Sequence, residues 1–317
     1  MSTLYIDGRG VRLASDGRRL EVRRNGEVDS LPLHIVERVV LMQGVETDTA
    51  TLTRLADRGI GISIIHGRHP LRMAWVMAPP GIDARRRLAQ YATWHDPARC
   101  LSLATWFVHL KLRAQHRWIG RLLDSRPDCR RVLCSTAGTL ERLLEDLESG
   151  RVSSLETLRG LEGAGSAAGF RALAAVVPPA LGFTTRRRRP PPDPVNALLS
   201  LGYTLLYGLA LEAVHAAGLD PAVGFLHEPA AGRCSLAADV MEPLRPRVEE
   251  LVWELLRQRR LVARHFSRRD GACLLAKAGR ERFYQGWEER VPGMRRRLRT
   301  MARGVVRRLV EGEGDSL

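Results

Sequence analysis

Four side chains in the second half of the 317-residue chain have the chemistry to handle a charged reaction centre. They are Glu162 in LRGLEGAGS, His227 in VGFLHEPAAGR, and Asp239 with Glu242 in SLAADVMEPLRP. Three residues apart on a helix, Asp239 and Glu242 would share one face a turn apart, where two carboxylates can converge on one cation. Carboxylate oxygens with a single imidazole and no thiolate suit Mg2+ or Mn2+ better than zinc, because hard cations prefer oxygen and tetrahedral zinc cages need Cys or several His. The alternative is ordinary: the two acids pair with Arg245, Arg247 or another arginine, and His227 is a hydrogen-bonded loop residue. Pro243 directly after Glu242 predicts a kink in the helix there.

Positioning such groups requires helices, and helical spacing dominates from Ala84 onward. The pattern predicts a long helix over Leu101–Leu123, shorter ones over Leu140–Leu147 and Leu155–Leu161, and further helices over about Leu236–Arg260 and Pro292–Leu309. Asp193-Pro194 supplies an N-cap and a first-turn proline for an apolar helix that should stop at Gly218. Its apolar stretch, Val195 to Val214, approaches membrane-spanning length, but Asn196 and Glu212 interrupt it, so a buried core helix is expected and no membrane. Arg186 to Arg189 run into three prolines and must form an exposed loop, since proline removes the amide donor and clashes with a preceding turn. Gly163-Ala164-Gly165-Ser166-Ala167-Ala168 fits the GxGxxA fingerprint, but no strand precedes it and no acid lies about twenty residues on. These glycines are expected to break a helix and turn Glu162 inward.

The first eighty residues differ in kind. Leu4-Tyr5-Ile6, Val11-Arg12-Leu13, Leu20-Glu21-Val22 and Val39-Val40-Leu41 read as short strands, with Asp7-Gly8 and Asn25-Gly26 as hairpin punctuation. Thr49 to Arg58 has helical spacing, and Gly59 to Ile65 returns to strand. Pro79-Pro80-Gly81 closes the region. The fold class is therefore α+β and multidomain: a small β-rich domain over residues 1–80 followed by a larger all-α domain over 81–317.

With 44% apolar and 27% charged residues, the composition excludes a mostly disordered, collagenous or low-complexity chain. Five cysteines form no CxxC pair and nothing at the N-terminus reads as a leader, so a reducing cytoplasm is the expected home. The net charge is +15. Eleven basic and nine acidic side chains fall in the first eighty residues, which leaves +13 for the helical region. Such an excess fits a polyanionic partner such as nucleic acid, although solubility alone could also account for it. Of the fifty basic residues only Lys111 and Lys277 are lysines.

Four segments in order, LEGAGSAAGF, PPPDPVNALLSLGYTLLYG, GLDPAVGFLHEPAAGRCSLAADVMEPLRP and AKAGRERFYQGWEER, resemble the CRISPR-associated spacer-acquisition integrases, the adaptation nucleases common to CRISPR systems. LPLHIVERVVLMQGVETDTATLTRLADRGIGISII is similar to the β domain of that family. The resemblance implies that Glu162, His227 and Glu242 ligate a divalent metal, with Asp239 beside them as a supporting or alternative catalytic carboxylate. Some relatives carry Asp at the position of Glu242, and a common Tyr appears here as Phe170, one residue late. The resemblance further implies a metal-dependent endonuclease and integrase that joins the 3′-hydroxyl ends of short duplex DNA to a CRISPR repeat. Its partners would be a second copy, paired through the β domain, and the small second adaptation protein. Candidate DNA contacts are Arg245, Lys277, Arg280, Arg282, Arg186 and Arg187, with Tyr284 and Trp287 placed either to stack on frayed bases or to seal the core. Two other functions stay open: a metal-dependent nuclease for branched or single-stranded DNA in repair, and a DNA-binding scaffold without catalysis.

Overall fold

Alternating apolar residues in the first part of the chain build two four-stranded sheets around one core. The strands are β1 Ser2–Ile6, β2 Arg12–Ser15, β3 Arg19–Arg24, β4 Glu27–Pro32, β5 Val36–Met42, β6 Glu46–Thr47, β7 Gly61–His66 and β8 His69–Val76, ordered β1-β5-β7-β8 and β4-β3-β2-β6. The structure is a computed structural model that describes residues 2–8, 10–66, 69–77 and 83–310; the Pro79-Pro80-Gly81 signal lies outside the described residues. Asn25 and Gly26, both at positive φ, make the tight turn between the antiparallel β3 and β4. Asp7-Gly8 does not close a hairpin: β1 pairs with β5 in parallel, because the apolar side of both strands is needed in the same core. Helix α1, Thr49–Asp57, is capped by Asp48, whose side chain accepts from the Thr51 amide at 2.6 Å, and it buries Leu55 in the same core as Leu13, Val39 and Ile62.

The chain divides into two compact units, Met1–Pro80 and Gly81–Leu317. The second unit contains α2 Ala84–His95, α3 Pro97–Ser125, α4 Arg130–Glu148, α5 Leu155–Val176, α6 Pro194–Ala216, α7 Ser235–Met241, α8 Arg245–Arg257, α9 Lys277–Glu288 and α10 Val291–Val310. It is not wholly helical. A hairpin of β9 Phe266–Arg269 and β10 Ala272–Leu275 turns at Asp270-Gly271, both at positive φ, the same signal that marks the β3–β4 turn.

Helix starts follow local chemistry. Asp96, Ser154 and Asp193 accept amides of the first turn, with Pro97 and Pro194 in the position where no donor is required. Helix α6 is long and apolar enough to cross a bilayer, yet most of its residues are buried inside the unit against α7, α8, α10 and β10. The helix expected over Leu236–Arg260 is broken instead of kinked: α7 ends at Met241, one 3-10 turn covers Glu242–Leu244, and α8 begins at Arg245. Pro243 has no amide to donate, which stops the α-helical ladder there.

Candidate active site

Three elements bring the carboxylates of Glu162 and Glu242 to one cation. Helix α3 carries Lys111, α5 carries Glu162, and the 3-10 turn carries Glu242. Helix α5 runs unbroken through its glycines, so the expected helix break is not there. The glycines act on packing: a Cβ at Gly165 would overlap the Leu112 side chain, and one at Gly169 would lie 3.0 Å from Gln115 Nε2. Without side chains at these two places α5 approaches α3 closely. The Lys111 ammonium, 1% exposed, donates to Glu162 Oε1 and to Glu242 Oε2, and Ser166 Oγ donates to the same Glu162 oxygen at 2.9 Å.

The second oxygen of Glu242 accepts from Arg245 at 2.8 Å, and the Arg245 guanidinium lies 4.3 Å over the Tyr203 ring. Tyr203 in turn donates its hydroxyl to Glu249 at 2.8 Å. Burial works to raise the Glu242 carboxyl, but the Arg245 and Lys111 charges hold it well below the usual carboxylate range. Glu249 is different: burial raises its pKa. Lys111 and Arg245 together set two positive charges against the two carboxylates of Glu162 and Glu242.

His227 arrives on a loop held from several sides. Gln90 of α2, fully buried, donates to the carbonyls of Asp220 and Val223 and accepts the Asp220 amide at 2.8 Å. Arg159, one turn before Glu162 on α5, donates to the Leu226 carbonyl at 2.9 Å and to the Glu228 carboxylate at 2.8 Å. Asp239, 0% exposed, accepts the amides of Phe225, Leu226 and His227 and lies 2.7 Å from His227 Nδ1. With Nδ1 engaged, Nε2 is the ring nitrogen left to act. The imidazole is close enough to Glu242 to contribute to its lowered pKa. Gly224 is required at the back of this loop, since a Cβ there would sit 2.7 Å from the His227 carbonyl and 2.8 Å from Asp239 Oδ2.

The four residues singled out from the sequence therefore divide. Glu162 and Glu242 share one cation and His227 is near, whereas Asp239 spends its oxygens on the amides of the His227 loop and on the imidazole. Among the described residues no three His, Cys, Asp or Glu side chains form a cage for a metal ion. Lys111 fills the space between the two carboxylates that such a cage would use.

Arg245 is a correction: expected among the DNA contacts, it is largely turned in, paired with Glu242 and lying over the Tyr203 ring. Arg186 is likewise turned in, donating to Asn196 Oδ1 and Ser200 Oγ, and burial brings its pKa down to about 10. Arg187 stands in the exposed loop, and Lys277 and Arg282 are exposed on α9, while Arg280 donates to the Leu275 carbonyl. Tyr284 and Trp287 are buried, with Trp287 stacked on Phe283, so they seal the core. Sequence reasoning missed Lys111, Arg159 and Gly224 as site residues. Only the rarity of lysine among the basic residues pointed at Lys111.

Comparison with known proteins agrees with this arrangement at the level of family and fold. The family described as CRISPR associated protein Cas1 matches residues 4–289. A CRISPR-associated endonuclease Cas1 of Thermodesulfovibrio yellowstonii is 31% identical over 315 residues, covering 98% of each chain. A casposase bound to its integration product superposes with a TM-score of 0.85 at 20% identity, covering 99% of this chain and 92% of that one. A Cas6-RT-Cas1–Cas2 complex gives a TM-score of 0.81 at 21% identity over 98% of this chain and 35% of that one. At such identities the two structures speak for the fold alone.

Proposed function

The chain belongs to the CRISPR-associated Cas1 family, and from that premise we propose that it is a divalent-metal-dependent DNA endonuclease and integrase of CRISPR adaptation. The observation that carries the reading is the convergence of Glu162 and Glu242 on one buried cation beside an imidazole oriented by a carboxylate. This donor set fits a hard divalent ion. Two carboxylates already close on a single positive atom, and His227 keeps Nε2 open because Asp239 holds the other nitrogen. Glu162, Glu242 and His227 would hold Mg2+ or Mn2+. When bound, the ion would lower the charge cost of the attacking hydroxyl and offset the charge that develops on the phosphate oxygens.

The protein's own part is to orient and to hold charge. Asp239 fixes the imidazole, Arg245 keeps Glu242 ionised, and Arg159 ties the His227 loop to the helix of Glu162. A 3′-hydroxyl of a short DNA fragment placed at this centre would attack a phosphodiester at a repeat boundary, with the leaving oxygen taking the proton the hydroxyl gives up. Water in the same place would give hydrolysis. The name endonuclease carried by the relative supports that second outcome, and the integration product held by the casposase supports the first. The partners in this reading are DNA, a second copy of the chain through the β-rich unit, and Cas2, which accompanies Cas1 in the structural neighbour.

The test is a joining assay with labelled fragment, repeat-containing duplex, Cas2 and Mn2+. Wild-type protein should yield strands longer than either input. Glu162→Ala and His227→Ala should each abolish them while DNA binding in a gel-shift assay largely survives. Equal activity of the two variants and the wild type would refute the assignment and favour a non-catalytic scaffold.

A further inference from the structure

We propose that Lys111 is a built-in competitor of the divalent ion: its ammonium holds Glu162 and Glu242 together in the metal-free protein and must give up at least one of them when the ion binds. The inference rests on the functional reading above and goes beyond it, since it assigns a role to a residue outside the proposed ligand set.

Three observations carry it. First, Lys111 is 1% exposed, and its two hydrogen-bond partners are the same two carboxylates that would bind the ion. Second, residue type matters. All but two of the fifty basic residues are arginine, and this position is one of the exceptions. An ammonium is a compact point charge with three donors and fits between two single oxygens as a small cation does. The planar, forked guanidinium does not. Third, two ionised carboxylates meeting in a buried place repel one another unless a cation lies between them. Arg245 occupies only the far oxygen of Glu242. Lys111 is the cation placed between the acids.

A divalent ion drawn to the same oxygens then meets a positive charge already seated there. Part of its binding energy is spent on moving Lys111, so the ion remains exchangeable and the pocket stays assembled when empty. Removing the ammonium should have opposite effects on the two states. The metal-free protein loses the charge that offsets the acid pair, and the metal-bound protein loses a repulsion.

Both effects can be measured on the full-length chain without recourse to activity. Mn2+ titrations followed by electron paramagnetic resonance should show Lys111→Met binding at least about tenfold tighter than wild type. In melting experiments Lys111→Met should unfold at lower temperature without metal and gain more from saturating Mn2+ than wild type does. A second measurement needs no variant and so is immune to misfolding. With only two lysines in the chain, protein carrying 13C at lysine Cε gives separate signals for Lys111 and Lys277, and Mg2+ should shift the first and leave the second in place. Equal Mn2+ affinity in wild type and Lys111→Met, or a Lys111 signal unmoved at saturating Mg2+ in a protein that binds it, would overturn the competition while leaving the metal site intact. Absence of any Mn2+ binding that Glu162→Ala removes would overturn both readings together.

Discussion

At the scale of single residues, the site depends on where each carboxylate spends its oxygens. Asp239 satisfies three backbone amides of the His227 loop and the imidazole, so Asp239→Asn sets an NH2 group against donors and leaves buried amides without acceptors. Orphaned buried groups cost about 1–3 kcal/mol each, and loss of an outer partner of a ligating histidine typically lowers metal affinity roughly 10–100-fold. Asp239→Asn should therefore lower both the melting temperature and Mn2+ affinity, whereas Glu162→Ala should lower the second far more than the first. Glu242 makes a prediction about acid. Its folded pKa lies below the ordinary 4.5, so its contribution to stability is complete above that value and is lost as pH falls towards the folded one. Urea midpoints of the wild type should fall more steeply than those of Glu242→Gln between about pH 5 and 3. Parallel curves would mean that Lys111 and Arg245 do not stabilise the ionised form.

At the scale of elements, the approach of α5 to α3 decides whether Glu162 reaches the shared cation, and two glycines only two residues apart separate packing from propensity. Gly165 faces Leu112 with no room for a methyl group, so Gly165→Ala should destabilise by about 1–3 kcal/mol and weaken Mn2+ binding as Glu162 is pushed away. Gly163 on the same helix is exposed with nothing within 4 Å, so Gly163→Ala should stabilise by about 0.5–1 kcal/mol through helix propensity alone. Chemical denaturation of the two variants checks the opposite signs. The same glycines show what was legible beforehand. Asp193-Pro194 announces α6 because capping is local, and the strands over Leu20–Val22 and Val39–Leu41 follow from alternation. The glycines were misread as a break because their reason lies on another helix, about fifty residues away. Strand β4, EVDSLP, carries few apolar residues and is held by pairing with β3, so no periodicity marks it. Resemblance pointed to Glu162, His227 and Glu242, but Lys111 and Arg159 become visible only when the helices carrying them are packed.

At the scale of the whole molecule, charge is distributed in two ways that have separate consequences. Within the site Lys111 and the arginines are consumed by acids: Lys111 by Glu162 and Glu242, Arg245 by Glu242, and Arg159 by Glu228. Outside it, the +13 excess of residues 81–317 includes the exposed run Arg187, Arg188 and Arg189. A duplex bound by such groups releases about 0.9 counterions per neutralised phosphate, so the slope of log affinity against log salt measures how many contacts are made. Replacing Arg187, Arg188 and Arg189 together by alanine should flatten that slope by about two to three and weaken binding of unrelated duplexes alike, because phosphate contacts carry no sequence information. At low salt, where the remaining arginines suffice to hold the duplex, joining by this variant should approach that of the wild type, since the loop is not part of the reacting centre. Fluorescence anisotropy across a salt series reads the slope directly. An unchanged slope would remove the loop from the DNA path and shift the search for phosphate contacts to the exposed Lys277 and Arg282 of α9.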